Sequence, residues 1–147
     1  MKVLIYNIDE GGFKTYSEYL FKGMMEQGYD VTYSDKIDYK KYDLVHIMFD
    51  YSKFHPFGLG VIPKMMRLKL NGKKVVFTYG VVQPKAGIYA RNKFFTMLKK
   101  ITLPITHFLL DKFSDKMIVM LPHLKEILVK DYKIKKNKIA VIAHGMY

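Results

Sequence analysis

The chain has 147 residues and no cysteine; 50% of its residues are hydrophobic, and 25 lysines and arginines against 13 acidic residues give a formal charge of +12. That length holds one domain with a core of its own and is short for two. The composition excludes disulfides, thiolate metal sites and a disordered chain.

Residues 2–8, KVLIYNI, form an uninterrupted apolar run rich in branched side chains, the pattern of a strand buried on both faces. The apolar run of the opening is too short for a signal peptide, and the missing cysteines agree with a reducing compartment, so a cytoplasmic chain is expected. Gly11 and Gly12 follow, and then Phe13, Tyr16, Leu20 and Met24 recur at the spacing of one helix face, which Gly28 ends. YDVTY (29–33) and YDLVHIMF (42–49) read as the second and third strands. GVIPKMMRLKLNG (60–72) reads as a helix entered near Pro63 and closed by Asn71-Gly72, and KKVVFTYG (73–80) as the fourth strand. After a long basic and aromatic segment, DKMIVM (115–120) is a fifth strand. PHLKEILVKDY (122–132) is a helix with Pro122 in its first turn, and KIAVIAHG (138–145) a sixth strand. Strands alternating with helices imply parallel crossovers, so the chain is expected to be a single α/β domain, a Rossmann-like parallel sheet flanked by helices on both faces.

The positive charge is localised. Residues 51–110 contain no Asp or Glu but hold eleven lysines and arginines, while the flanks nearly balance. Two readings stand: a solvated lysine-rich surface, or a positive face for an anionic partner such as membrane lipid, nucleotide or nucleic acid. In parallel sheets ligands gather beyond the carboxyl ends of the strands. This places Asn7–Phe13, Asp50–Gly60, Tyr79–Tyr89 and the residues from His144 onward under suspicion. Gly11 and Gly12 open the first helix, where free N–H groups favour an anion, although Asp9 and Glu10 precede them and a structural turn explains the pair as well. His46, inside an apolar strand, is expected to be a hydrogen-bonded core histidine. Histidine spacing shows no metal motif, and neither a G-x-S-x-G elbow nor a P-loop is present.

Taken in order, the opening MKVLIYNIDEGGFKTYSEYLFKGMMEQGYDVT, then YDLVHIMFD, KKVVFTYGVVQP and FSDKMIVMLPHLKEILVKDYKIKKNKIAVIAHGMY resemble the N-terminal half of family-4 glycosyltransferases, enzymes of the two-domain GT-B architecture. The resemblance implies that Gly11 and Gly12 form the Gly-rich loop beside the acceptor and donor phosphates, and that Asp43 and His46 are the family's D-x-x-H strand. It puts Tyr79, followed by Gly80, where the family commonly has a histidine close to the reacting sugar. Tyr79 is thus the expected catalytic-wall residue, with Gly80, Lys14 and Lys85 as further substrate contacts. Leu121-Pro122 stand where relatives often carry a serine, and the closing IAHGMY is similar to the P-x-G-V-D stretch that leads into the second domain. Residues 1–147 would then be the acceptor side of a cleft, with the nucleotide-sugar donor bound mainly by a second domain absent from this sequence. The implied reaction is retaining transfer of a sugar to a hydroxyl, with no metal and no other cofactor.

Within residues 90–113, Phe94, Phe95, Leu98, Ile101, Leu103, Phe108 and Leu109 interleave with Lys93, Lys99 and Lys100. An apolar face bordered by lysines suits an anionic membrane surface, which makes a lipid-linked or membrane-proximal acceptor the expected partner; the same pattern also fits the core face of a long crossover helix. The longest charge-free run, Ile101–Leu110, is half the length a crossing needs, so the expected contact is peripheral. Two other classes compete: a catalytically inactive partner-binding half, and a basic nucleic-acid-binding module, for which no specific recognition motif is present.

Overall fold

The computed structural model describes residues 1–8 and 11–143; Asp9, Glu10, the rim loop expected from His144 onward and the closing HGMY lie outside the described residues. The order of elements is β1 (Lys2–Tyr6), α1 (Gly12–Glu26), β2 (Asp30–Ser34), β3 (Leu44–Phe49), α2 (Ile62–Leu70), β4 (Lys74–Tyr79), α3 (Lys93–Phe113), β5 (Lys116–Val119), α4 (Pro122–Tyr132) and β6 (Ile139–Val141). The strands form one six-stranded sheet in the order β2-β1-β3-β4-β5-β6, and each neighbouring pair is parallel. This is the Rossmann-like α/β arrangement expected from the alternating pattern.

Alternation of side chains along the strands separates two cores. Leu4 and Tyr6, then Val45, Ile47 and Phe49, then Val75, Phe77 and Tyr79 point to one face, where α2 contributes Met65 and Leu68, α3 Leu110 and α4 Leu128. Ile5 and Met48 point to the other face and meet Phe13 and Tyr16 of α1. Both faces of the central strands are therefore dry, which is why they read as continuous apolar runs. His46 alternates with Val45 and Ile47, so it shares the face of Met48, where it is buried with its Nε2 2.6 Å from Thr78 Oγ1; it is the hydrogen-bonded core histidine expected.

Carboxylates tie the amino ends of the strands. Asp43 Oδ2 accepts from the Lys2 N–H at 2.7 Å, and Asp115 Oδ2 accepts from the Val75 N–H at 2.7 Å while Lys69 Nζ reaches the same oxygen at 2.8 Å. Burial alone would raise the Asp115 carboxyl; the Lys69 ammonium and the Val75 N–H outweigh it and hold it below the usual carboxylate range. The Asp43 and His46 of the D-x-x-H strand thus have structural partners at the base and in the middle of the sheet.

The segment between β4 and β5 is one helix of 21 residues. Asn92 caps it by accepting from the Phe94 N–H at 2.9 Å, Thr102 donates its hydroxyl to the Leu98 carbonyl, and the single Thr106 hydroxyl proton is shared between the Thr102 carbonyl at 3.0 Å and the Phe57 carbonyl at 3.2 Å.

Candidate functional site

The carboxyl ends of β3 and β4 are crowned by two long loops, and both are fixed from below. In the β3–α2 loop, Phe54 stacks on Phe49 with ring centroids 5.7 Å apart. Phe57 has φ +49° and Gly58 φ +86°, and the Phe57 carbonyl accepts from Thr106 Oγ1 of α3 at 3.2 Å. A side chain at Gly58 would put its Cβ 2.7 Å from Phe49, and one at Gly60 would put it 2.5 Å from the His55 carbonyl. The loop needs glycine there because core and backbone already fill the space. A bulky residue held at positive φ, as Phe57 is, marks a constrained segment.

The β4–α3 loop is fastened to α4. Tyr132 donates its hydroxyl to the Gln83 carbonyl at 2.5 Å, and the Lys85 N–H donates to Asp131 Oδ2 at 2.8 Å. Beneath both loops His107 of α3 acts as a hub: its Nε2 lies 2.7 Å from Tyr51 Oη, its Nδ1 3.4 Å from Tyr79 Oη, and Tyr132 packs on its ring at 3.8 Å. A neutral imidazole has one donor and one acceptor, so one of the two hydroxyls donates and the other accepts. Burial drives the His107 pKa down to about 3 and keeps the ring uncharged, and burial likewise raises the Tyr79 and Tyr51 hydroxyls and pushes Tyr132 up to about 12. None of these groups is poised for proton transfer near neutral pH; the cluster positions the loops.

Above the hub the loops and the first half of α3 enclose two open cavities. An inner one of about 510 Å³ is lined by Asp50, Ser52, His55, Val81 and Gln83 among others. An outer one of about 750 Å³ is lined by Ala90, Arg91, Asn92, Lys93 and Phe95. Phe57 and Lys99 line both, so the two form one groove with a shared wall. Asp50 is turned inward on its own loop, with Oδ1 accepting from the Ser52 N–H and hydroxyl at 2.7 and 2.5 Å. Among the described residues no group of three or more His, Cys, Asp or Glu gathers to hold a metal ion.

On its outer side α3 carries a second feature. Phe94, Met97, Ile101, Ile105 and Phe108, spaced three and four apart, lie on one face and are 48–63% exposed, whereas Leu103, His107 and Leu110 on the opposite face are buried. Lys93 and Lys100 border this stripe at helical spacing, and Lys112 stands at its end. No helix among the described residues is long and apolar enough to cross a membrane.

The expected site residues distribute as follows. Lys93, Phe95 and Lys99 line the groove, and Phe94 and Lys100 belong to the outer face of α3. Tyr79 is 0% exposed in the core, with its hydroxyl beside His107, so its side chain supports the rim from beneath and meets no open space at which a sugar could be walled. Gly80 lies against α1: a Cβ there would come 2.6 Å from Phe13 Cζ. Gly11 is the residue before α1, its carbonyl accepting from the Lys14 N–H at 2.9 Å, and a Cβ at Gly12 would meet nothing within 4 Å. Lys14 is exposed on α1, and Lys85 has its Nζ 5.7 Å from the Tyr132 ring centroid, so the two lysines belong to opposite faces of the sheet. Two of the suspected loops do meet along α3. The residues unnoticed in the sequence are Phe57, Gln83 and His107, whose only sequence signal was position in or opposite those loops.

Fold and rim define a class, a Rossmann-like α/β domain with a ligand-sized groove at the carboxyl ends of β3 and β4. No protein-family model matches the chain, and no curated protein does.

Proposed function

We propose that this domain is the acceptor-binding half of a retaining glycosyltransferase that works on a membrane-associated acceptor, the nucleotide-sugar donor being held by a partner lobe. The observation that carries the reading is the apolar stripe on α3, which is bordered by lysines and begins at the mouth of a cationic groove. A contiguous apolar face on a well-folded domain marks an interaction surface, and with a cationic border its chemistry matches the headgroup layer of anionic lipid. Nucleic acid is the poorer fit, because a phosphate backbone offers nothing to Met97, Ile101 and Ile105. The parallel sheet, with Gly11 and Gly12 at the start of α1, supports the transferase part of the reading through the resemblance in motif order.

Two measurements test it. The protein should cosediment with vesicles containing phosphatidylglycerol and far less with neutral phosphatidylcholine vesicles at low salt; equal recovery on both counts against the surface. In membranes from cells producing the protein joined to a GT-B donor-binding second domain, label from one of a panel of radioactive nucleotide-sugars should enter the lipid fraction in excess of membranes lacking it. No excess with any donor removes the transferase reading.

A further inference from the structure

The stripe on α3 is symmetric about its own centre. Phe94, Met97, Ile101, Ile105 and Phe108 stand at −7, −4, 0, +4 and +7 from Ile101, so reversing the helix leaves the spacing unchanged. A twofold axis through Ile101 that sets two such helices antiparallel lays Phe94 against Phe108 of the second copy, Met97 against its Ile105 and Ile101 against its Ile101. Those are the reciprocal contacts of an isologous interface. At a shallow crossing angle of about 20° the stripe stays in contact along its length.

This face is unlike that of the neighbouring helix. On the same side of the sheet, α4 packs beside α3, turns the Glu126–Lys130 pair outward and exposes no large apolar side chain, as a helix kept in water does. The stripe residues, in contrast, are 48–63% exposed. A phenylalanine buries roughly 150–250 Å² when fully covered, so side chains of this size left about half bare hold on the order of 100 Å² each. Covering the stripe on both copies removes about 1,000 Å² from water, the floor of a specific interface and the range of weak, reversible ones.

We propose that two copies of the chain pair through α3 in this antiparallel, twofold arrangement when no bilayer covers the stripe. The pairing stands without the membrane reading, but it takes the same face, so a paired copy is withdrawn from lipid and docking begins with separation. The two occupants answer salt in opposite ways. Lys93, Lys100 and Lys112 repel their counterparts across the pair and attract anionic lipid, so added salt strengthens the first contact and weakens the second.

The test makes use of a chain with no cysteine of its own. Helix axes about 8–10 Å apart, with Cα atoms about 2.3 Å off each axis, bring facing residues within the roughly 4.4–6.8 Å between Cα atoms that a disulfide spans. Under mild oxidation Ile101→Cys should link to itself, and Phe94→Cys should link to Phe108→Cys in a mixture while neither links to itself. Tyr19→Cys, exposed on α1 at the other face of the sheet, is the collision control. Phe94→Cys linking to itself as fast as Ile101→Cys would overturn the antiparallel register, and Tyr19→Cys doing so would overturn the interface. In sedimentation equilibrium the unmodified protein should dimerise reversibly and more tightly at about 500 mM than at about 50 mM salt. Ile101→Asp, which sets two carboxylates face to face at the axis, should weaken the dimer at least about tenfold. A protein that stays monomeric at about 1 mM overturns the pairing. A monomer that still binds phosphatidylglycerol vesicles removes the dimer and leaves the docking surface, whereas a dimer that ignores those vesicles removes the docking and upholds the pairing.

Discussion

At the scale of single residues, two glycines that look alike in sequence are held for different reasons. Gly80 touches Phe13, so Gly80→Ala forces that ring out of the smaller core and should cost about 1–3 kcal/mol, seen as a lowered Tm. Gly12→Ala meets open space at the first residue of α1 and should leave Tm unchanged or raise it slightly, by the equivalent of about 0.5 kcal/mol. The histidines give a second prediction. Folded His46 and His107 titrate near about 4 and about 3, against 6.5 for a free imidazole, with burial as the cause in both. Between those limits the unfolded chain binds more protons, so stability is full above about 6.5 and falls with pH, by on the order of a few kcal/mol at about pH 4.5. Thermal melts across this range should show it, with a shallower slope in His46→Gln, which cannot titrate. The sequence shows the first glycine pair and the buried setting of His46 directly. It does not show that Gly80 is paired with Phe13, or that His107 joins Tyr51 and Tyr79, because those contacts join residues far apart in the chain.

At the scale of elements, α3 decides the functional reading. Its buried face includes the polar Thr106 and His107 beside Leu103 and Leu110, while its exposed stripe is wholly apolar (Phe94, Met97, Ile101, Ile105 and Phe108), so hydropathy alone does not tell the core face from the surface face. The structure separates them because Leu103, His107 and Leu110 take the sheet side and leave Phe94, Ile101 and Phe108 outside. Ile101→Asp should therefore keep the Tm of the parent while lowering partition onto anionic vesicles by at least about tenfold, from the loss of one apolar side chain worth about 1.5–3 kcal/mol. Raising salt should weaken binding as well, since each nearby lysine contributes about 1 kcal/mol through a screened field. Loop positions were legible from the rule that ligands lie beyond the strand ends, whereas the groove itself depends on Tyr132 and Asp131 of α4 reaching back to Gln83 and Lys85.

At the scale of the whole molecule the sheet has a tied end and a working end. Asp43 and Asp115 fasten the amino ends of β1 and β4, so Asp115→Ala should strand the Val75 N–H and lower Tm by about 3 °C per kcal/mol lost, without altering amide shifts around Phe57 and Gln83. The strand pattern made the parallel sheet readable because burial on both faces leaves runs without alternation. The choice of β1 and β3 as neighbours, by contrast, is a matter of register that local sequence does not encode. The course of α3 carries one last consequence. As the crossover between two parallel strands it runs opposite to them, and its stripe from Phe94 to Phe108 spans about 21 Å at 1.5 Å per residue. On the proposed docking, a domain resting on that length would lie on its flank with its strands level and its open rim looking along the leaflet. A lipid would then reach it by sliding sideways in two dimensions without being lifted into water.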